Sequence, residues 1–154
     1  MHYKSQRCAE ALPVARNVLD GRRRLAGPEH PLTITALHNL ATIYDQLDRD
    51  GDAEPLYLEA IEMRRRVQGD LHPSTCNSRE KLGSMYQDQT RFADAEPLFL
   101  AAHHGFLVTY GSTHERTLQS VKKLESLYAA WGKPDKAAEW RAKLPKAAAP
   151  APVK

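Results

Sequence analysis

Gly27-Pro28-Glu29-His30-Pro31, Gly69-Asp70-Leu71-His72-Pro73 and Gly111-Ser112-Thr113-His114-Glu115 set a histidine at the same point of three equal stretches, 42 residues apart. The same shift lays Asp52-Ala53-Glu54-Pro55-Leu56-Tyr57-Leu58 on Asp94-Ala95-Glu96-Pro97-Leu98-Phe99-Leu100. Between residues 27–68 and 69–110, 14 of 42 positions are identical, where unrelated sequence gives about two or three at average residue usage. A fixed period of this length is the signature of a repeat architecture.

Each unit reads as two helices. Leu37, Leu40, Ala41 and Tyr44 recur at the i, i+3, i+4, i+7 spacing of a buried stripe between Thr33 and Leu47. Pro31 stands in the first turn, where its missing N–H has no intrahelical partner to lose. Asp48-Arg49-Asp50-Gly51 breaks the chain, and Ala53, Leu56, Tyr57, Ala60 and Ile61 mark the inner face of a second helix from about 52 to 67. Gly69 follows as the expected left-handed cap. Ala41, Gly83, Ala53, Ala60, Ala95 and Ala102 let helix axes come close, while Tyr44, Tyr86, Tyr57 and Phe99 fill the remaining space. No segment alternates with period two, so no sheet is expected.

Composition narrows the function classes. The chain has 154 residues, 22 Lys and Arg against 19 Asp and Glu, and a net charge of +3. That is ordinary for one globular domain and lacks the basic stripe of a nucleic-acid binder. No apolar run reaches the length of a membrane span, and the first residues have no apolar core like that of a signal peptide. Cys8 and Cys76 are 68 residues apart, which suits neither a metal site nor a disulfide framework. Reduced thiols and a cytoplasmic location are expected.

The pattern resembles the tetratricopeptide repeat family, on Leu37, Leu40, Ala41, Tyr44, Ala53, Tyr57 and Ala60. The second unit carries Leu82, Gly83, Tyr86, Ala95, Phe99 and Ala102, and the third Val121, Leu124, Tyr128 and Ala137, with departures at Arg79, Glu125 and Arg141. The common repeat of the family has about 34 residues. The longer form here is similar to the kinesin light chain subgroup, through Leu37-His38-Asn39-Leu40-Ala41 and Ala53-Glu54-Pro55-Leu56-Tyr57. The resemblance implies an all-α, right-handed superhelical solenoid of about seven antiparallel helices. It also implies a protein-protein interaction scaffold that receives a peptide or helix in the concave groove of the first helices.

Residues 1–26 align with a second helix that lacks its partner. Residues 27–68, 69–110 and 111–145 form three repeats, the last degenerate, and the Ala/Pro tail 146–154 is expected to be disordered. The N-terminus reads as cut from a longer array, and its exposed helix offers a surface for self-association. An alternative reading makes the chain the C-terminal regulatory region of a larger bacterial protein such as a serine/threonine kinase.

His30, His72 and His114 lie in successive layers, at least ~8 Å apart by helix packing, and cannot share a metal whose ligands sit ~2 Å from it. No phosphate loop, nucleophile elbow or kinase signature is present, so no enzyme activity, metal or cofactor is expected. The groove positions are polar: His38, Asn39 and Thr42 in the first unit, Asn77, Glu80 and Lys81 in the second, Gln119, Lys122 and Lys123 in the third, with Thr35, Ser84 and Ser126 beside them. Such residues suit a peptide partner. Lys81, Lys122 and Lys123 have no interleaved aromatics to stack nucleic-acid bases. The Lys and Asn slots with which some family members clamp a terminal carboxylate hold His38, Thr42, Lys81, Gln119 and Lys123, a broken pattern.

Overall fold

The computed structural model describes residues 2–146. Among them seven helices follow one another: α1 (His2–Ala26), α2 (Pro31–Gln46), α3 (Asp50–Gln68), α4 (Pro73–Asp88), α5 (Phe92–Tyr110), α6 (Glu115–Ala130) and α7 (Pro134–Arg141). No strand occurs among the described residues. Each helix packs on its neighbours in the chain, and α2 also touches α4. This is a solenoid of antiparallel pairs. The last helix stops at Arg141, within the third repeat. Most of the Ala/Pro tail expected to be disordered lies outside the described residues.

The recurring histidines are helix caps. Nδ1 of His30, His72 and His114 accepts the backbone N–H of Leu32, Ser74 and Arg116 at 3.2, 3.1 and 3.1 Å. Each satisfies one of the amides that the first turn leaves without a partner. The turns between paired helices also obey the period: Asp48, Thr90 and Gly132 all have positive φ, at 55°, 59° and 73°.

The core follows the expected stripes. Leu37, Leu40, Ala41 and Tyr44 of α2 meet Ala53, Tyr57 and Ala60 of α3, all buried. In the next pair a Cβ on Gly83 would stand 2.9 Å from the Phe99 ring, so the glycine lets the ring lie against the helix backbone. A second close approach is not evident from the repeat. Gly105 of α5 faces Cys76 of α4, and a Cβ there would stand 2.2 Å from Sγ. Burial pushes the Cys76 thiol up from its ordinary pKa, so it stays protonated and fills space.

Adjoining pairs are fastened by a tyrosine that reaches back. Tyr86 Oη donates to Glu54 Oε1 at 2.7 Å and Tyr128 Oη to Glu96 Oε1 at 2.6 Å. At the first pair Leu12 replaces the glutamate, and Arg16 Nε donates to Tyr44 Oη at 2.8 Å instead. Pro13, Pro55 and Pro97 lie inside α1, α3 and α5. The carbonyls they leave free belong to the exposed residues Ala9, Gly51 and Ala93, where water can satisfy them. α1 runs unbroken through Gln6 and Arg7, the residues that align with the Asp48-Arg49 turn.

Two stability measurements check these contacts. Denaturant unfolding of His72→Ala should show a loss of ~1 kcal/mol, with His72→Asn close to wild type, as for other N-cap replacements. Gly105→Ala should cost ~2 kcal/mol or more by overpacking, and Cys76→Ala should recover part of that loss in the double variant.

Candidate functional site

The first helices of the three pairs, α2, α4 and α6, present their outward sides to a common groove of about 540 Å³. It is lined by His38 and Asp45 from α2, Arg116 and Lys123 from α6, and Asn77, Glu80, Lys81, Ser84, Met85 and Asp88 from α4. Five of the nine residues expected at the site meet here: His38, Asn77, Glu80, Lys81 and Lys123. The other four do not line it. Thr42 accepts the Tyr57 hydroxyl at 3.1 Å, Gln119 is held by Arg116 and Glu115, Lys122 is exposed, and Asn39 faces α1.

Glu80 sits at the centre of the groove, 5% exposed. Its Oε2 accepts Arg116 Nη2 at 2.9 Å, while Oε1 is buried without a partner. Burial raises its pKa against the opposing pull of Arg116 and Lys123. Arg116 also donates to Asn77 Oδ1 and to Gln119 Oε1, and its guanidinium lies over the Phe106 ring at 4.6 Å. Lys123 Nζ donates to Ser84 Oγ at 3.3 Å. The repeat gave no sign of Arg116, because its equivalents are Leu32 and Ser74. The only available signal was its place one turn before Gln119 on the same helix.

At the α2 wall the polar groups form a chain. Arg64 of α3 is buried and donates Nη1 to Ser74 O and Ser78 Oγ, both at 2.8 Å. Ser78 Oγ lies 3.1 Å from His38 Nδ1. The His38 ring meets Tyr57 edge-on at 5.5 Å. Burial, then the charges of Arg64 and Lys81, bring the His38 pKa down to about 4. The imidazole is therefore neutral at physiological pH, leaving Lys81, Arg116 and Lys123 as the groove's cations. Burial also raises the pKa of Asp45, with the Tyr57 hydrogen bond opposing it.

Among the described residues no group of three or more His, Cys, Asp or Glu side chains could hold a metal, and no helix is long and apolar enough to cross a membrane. The groove is thus a polar, charged, open surface suited to hydrogen bonding with another chain.

The tetratricopeptide repeat family model matches residues 1–66. No curated protein matches the chain. Solved structures share the fold. BtubC (BKLC) from P. vanneervenii superposes with a TM-score of 0.79 at 21% identity, over 97% of this chain and 65% of its own. The nearly identical TPR-like repeats of a Podosopora anserina chain assigned as a kinesin light chain give 0.82 at 23%, over 97% of this chain and 75% of theirs. A second crystal structure of those repeats, carrying a substitution, gives 0.81 at 22%, over 92% and 68%. This chain therefore spans about two thirds to three quarters of the length of these proteins. At such identities the likeness is one of fold.

The half-buried imidazole of His38 makes stability depend on pH. His38 titrates near 6.5 when unfolded and near 4 when folded, so between those values the unfolded chain binds more protons. Stability is full above about pH 6.5 and falls as pH drops toward 4, by on the order of 2–3 kcal/mol. Denaturant unfolding across this window should show a flatter pH slope for His38→Gln than for wild type.

Proposed function

We propose that this chain, whose repeat is a tetratricopeptide repeat of the kinesin light chain-like kind, is a protein-binding adaptor, not an enzyme. Its partner lays a peptide segment or helix in the groove of α2, α4 and α6. Repeats of this fold generally mediate protein-protein interaction, and the groove supplies the particular chemistry. The single observation that carries this reading is the set of Lys81, Arg116 and Lys123 around the buried Glu80, on helices held in register. Such a surface offers fixed donors and acceptors to a polypeptide without the enclosed apolar walls that small-molecule sites usually have.

As a cytoplasmic module it keeps Cys8 and Cys76 as thiols. The same module serves equally well as the regulatory region of a larger protein, a serine/threonine kinase among them, and sequence upstream of Met1 decides that point. The face of α1 is a second surface open to a partner, either another copy or a foreign helix, since Val14 and Val18 are 62% and 44% exposed.

Peptide selection against the whole chain, followed by titration of the selected sequences, tests the groove. Lys81→Ala combined with Lys123→Ala should weaken binding roughly tenfold or more, as loss of interface anchors does. Asn39→Ala, which faces α1, should leave binding unchanged. Selected peptides that bind wild type and the double lysine variant equally would move the site elsewhere.

A further inference from the structure

α5 differs from α3 on the side that meets solvent. Its buried residues Ala95, Phe99, Ala102 and Phe106 turn toward the core, and the opposite side carries Pro97, Leu100, Ala101, His104, Leu107 and Val108. All but the half-buried Ala101 are exposed, Val108 to 58%. One repeat earlier the same positions hold Pro55, Leu58, Glu59, Glu62, Arg65 and Arg66, the charged face usual for a helix in water. From Pro97 to Tyr110 α5 has no Asp, Glu, Lys or Arg. Contiguous exposed apolar surface of this kind marks an interaction site. The stripe points away from α4 and α6, on which α5 packs. Further repeats at either end of the array would lengthen the stack and leave this face open.

We propose that this face pairs with a second copy of the chain, α5 against α5 antiparallel, about a two-fold axis at His104. The stripe is its own complement in that arrangement. Residues equally far on either side of His104 meet, so Leu100 lies on Val108 of the second copy and Ala101 on Leu107, a large side chain over a small one. The axes can then approach to about 8–10 Å. A parallel mate would set Ala101 on Ala101 and Leu107 on Leu107, too loose at one turn and too crowded at the next.

The charges beside the stripe agree with this mate. Arg91 at the head of α5 pairs with Glu54 of α3 at 3.0 Å, so α3 runs alongside. The antiparallel two-fold lays α3 over α3, with Glu59 opposite Arg65 of the second copy. Glu62, which would meet itself at the axis, already has its charge offset by Arg65 of its own helix at 2.8 Å. One helix face on another gives an interface near the lower bound for a specific contact, about 1,000 Å² in total, so association is expected at micromolar concentration. The groove of α2, α4 and α6 lies on the other side of the array. A back-to-back pair therefore presents two grooves and, resting on the adaptor reading above, holds a partner with two copies of its segment more tightly than one groove does.

Sedimentation of the whole chain at pH 8, from roughly 1 to 500 µM, should show a reversible monomer–dimer equilibrium. Leu100→Glu and Val108→Lys, each alone and both at exposed positions, should weaken it at least about tenfold with the circular dichroism unchanged. Mixed in equal amounts, these two variants should pair again, because the new carboxylate of one meets the new ammonium of the other. Leu100→Glu mixed with Leu100→Lys, which oppose each other only in a parallel pair, should stay monomeric. Val14→Glu plus Val18→Glu should leave the dimer intact, which separates this face from that of α1. A chain that remains monomeric across the whole range would leave the face to a foreign partner and overturn the proposal. So would a dimer indifferent to Leu100→Glu, or a rescue confined to the two Leu100 variants. A dimer that binds no peptide would uphold the pairing and remove only the adaptor reading, with the bivalent role that rests on it.

Discussion

The close approach of paired helices is the constraint on which the rest of the molecule depends. The Phe99 ring can lie on α4 only because position 83 has no side chain, and Tyr57 of α3 is sealed against α2 alongside Ala41. Two helices held this near have little room for variation in angle, since ridges and small residues must interlock. The tyrosine-to-glutamate hydrogen bonds then set one pair on the next. With those two contacts repeated, α2, α4 and α6 come to lie side by side, and their outer faces form a groove.

Within that groove one repeat position is solved in two ways. Position 64 holds an arginine whose guanidinium is buried and anchored on Ser74 and Ser78. Forty-two residues later the position holds Phe106, and a different arginine, Arg116, lies over its ring from the next helix. Both arrangements bring a guanidinium close to the groove wall. In the first it adds to the effect of burial in lowering the His38 pKa, and in the second it pairs with the Glu80 carboxylate. The two halves of the surface therefore differ in charge although the backbone repeats. A buried ion pair is costly unless well bonded, and Glu80 has one oxygen satisfied and one not.

Much of this was legible in the sequence, because burial and period act on the same residues. The stripe at Leu37, Leu40, Ala41 and Tyr44 is read from spacing alone, and register carries His38, Asn77, Glu80, Lys81 and Lys123 to the groove. Four things were not legible. Arg116 reaches the groove through its length, from a position whose equivalents are leucine and serine. Thr42 is drawn inward by the Tyr57 hydroxyl, a hydrogen bond that polarity patterns do not reveal. Asn39 points to α1 because the exposed side of α2 is divided between two surfaces, and helical periodicity alone does not say where the boundary falls. The Gly105–Cys76 contact was hidden for a related reason, since neither residue recurs at the period.

The nearest-neighbour packing of the helices has a kinetic consequence. Almost every contact joins segments close in the chain, so no long loop must close before burial begins, and a topology of low contact order folds quickly. Pairs can form as they leave the ribosome and add to those already made, without waiting for the C-terminal end. Cooperativity is then carried only through the shared interfaces. Damage at one end, such as loss of order in α1, would weaken along the array with distance, and the central pairs α2/α3 and α4/α5 would be the last to open.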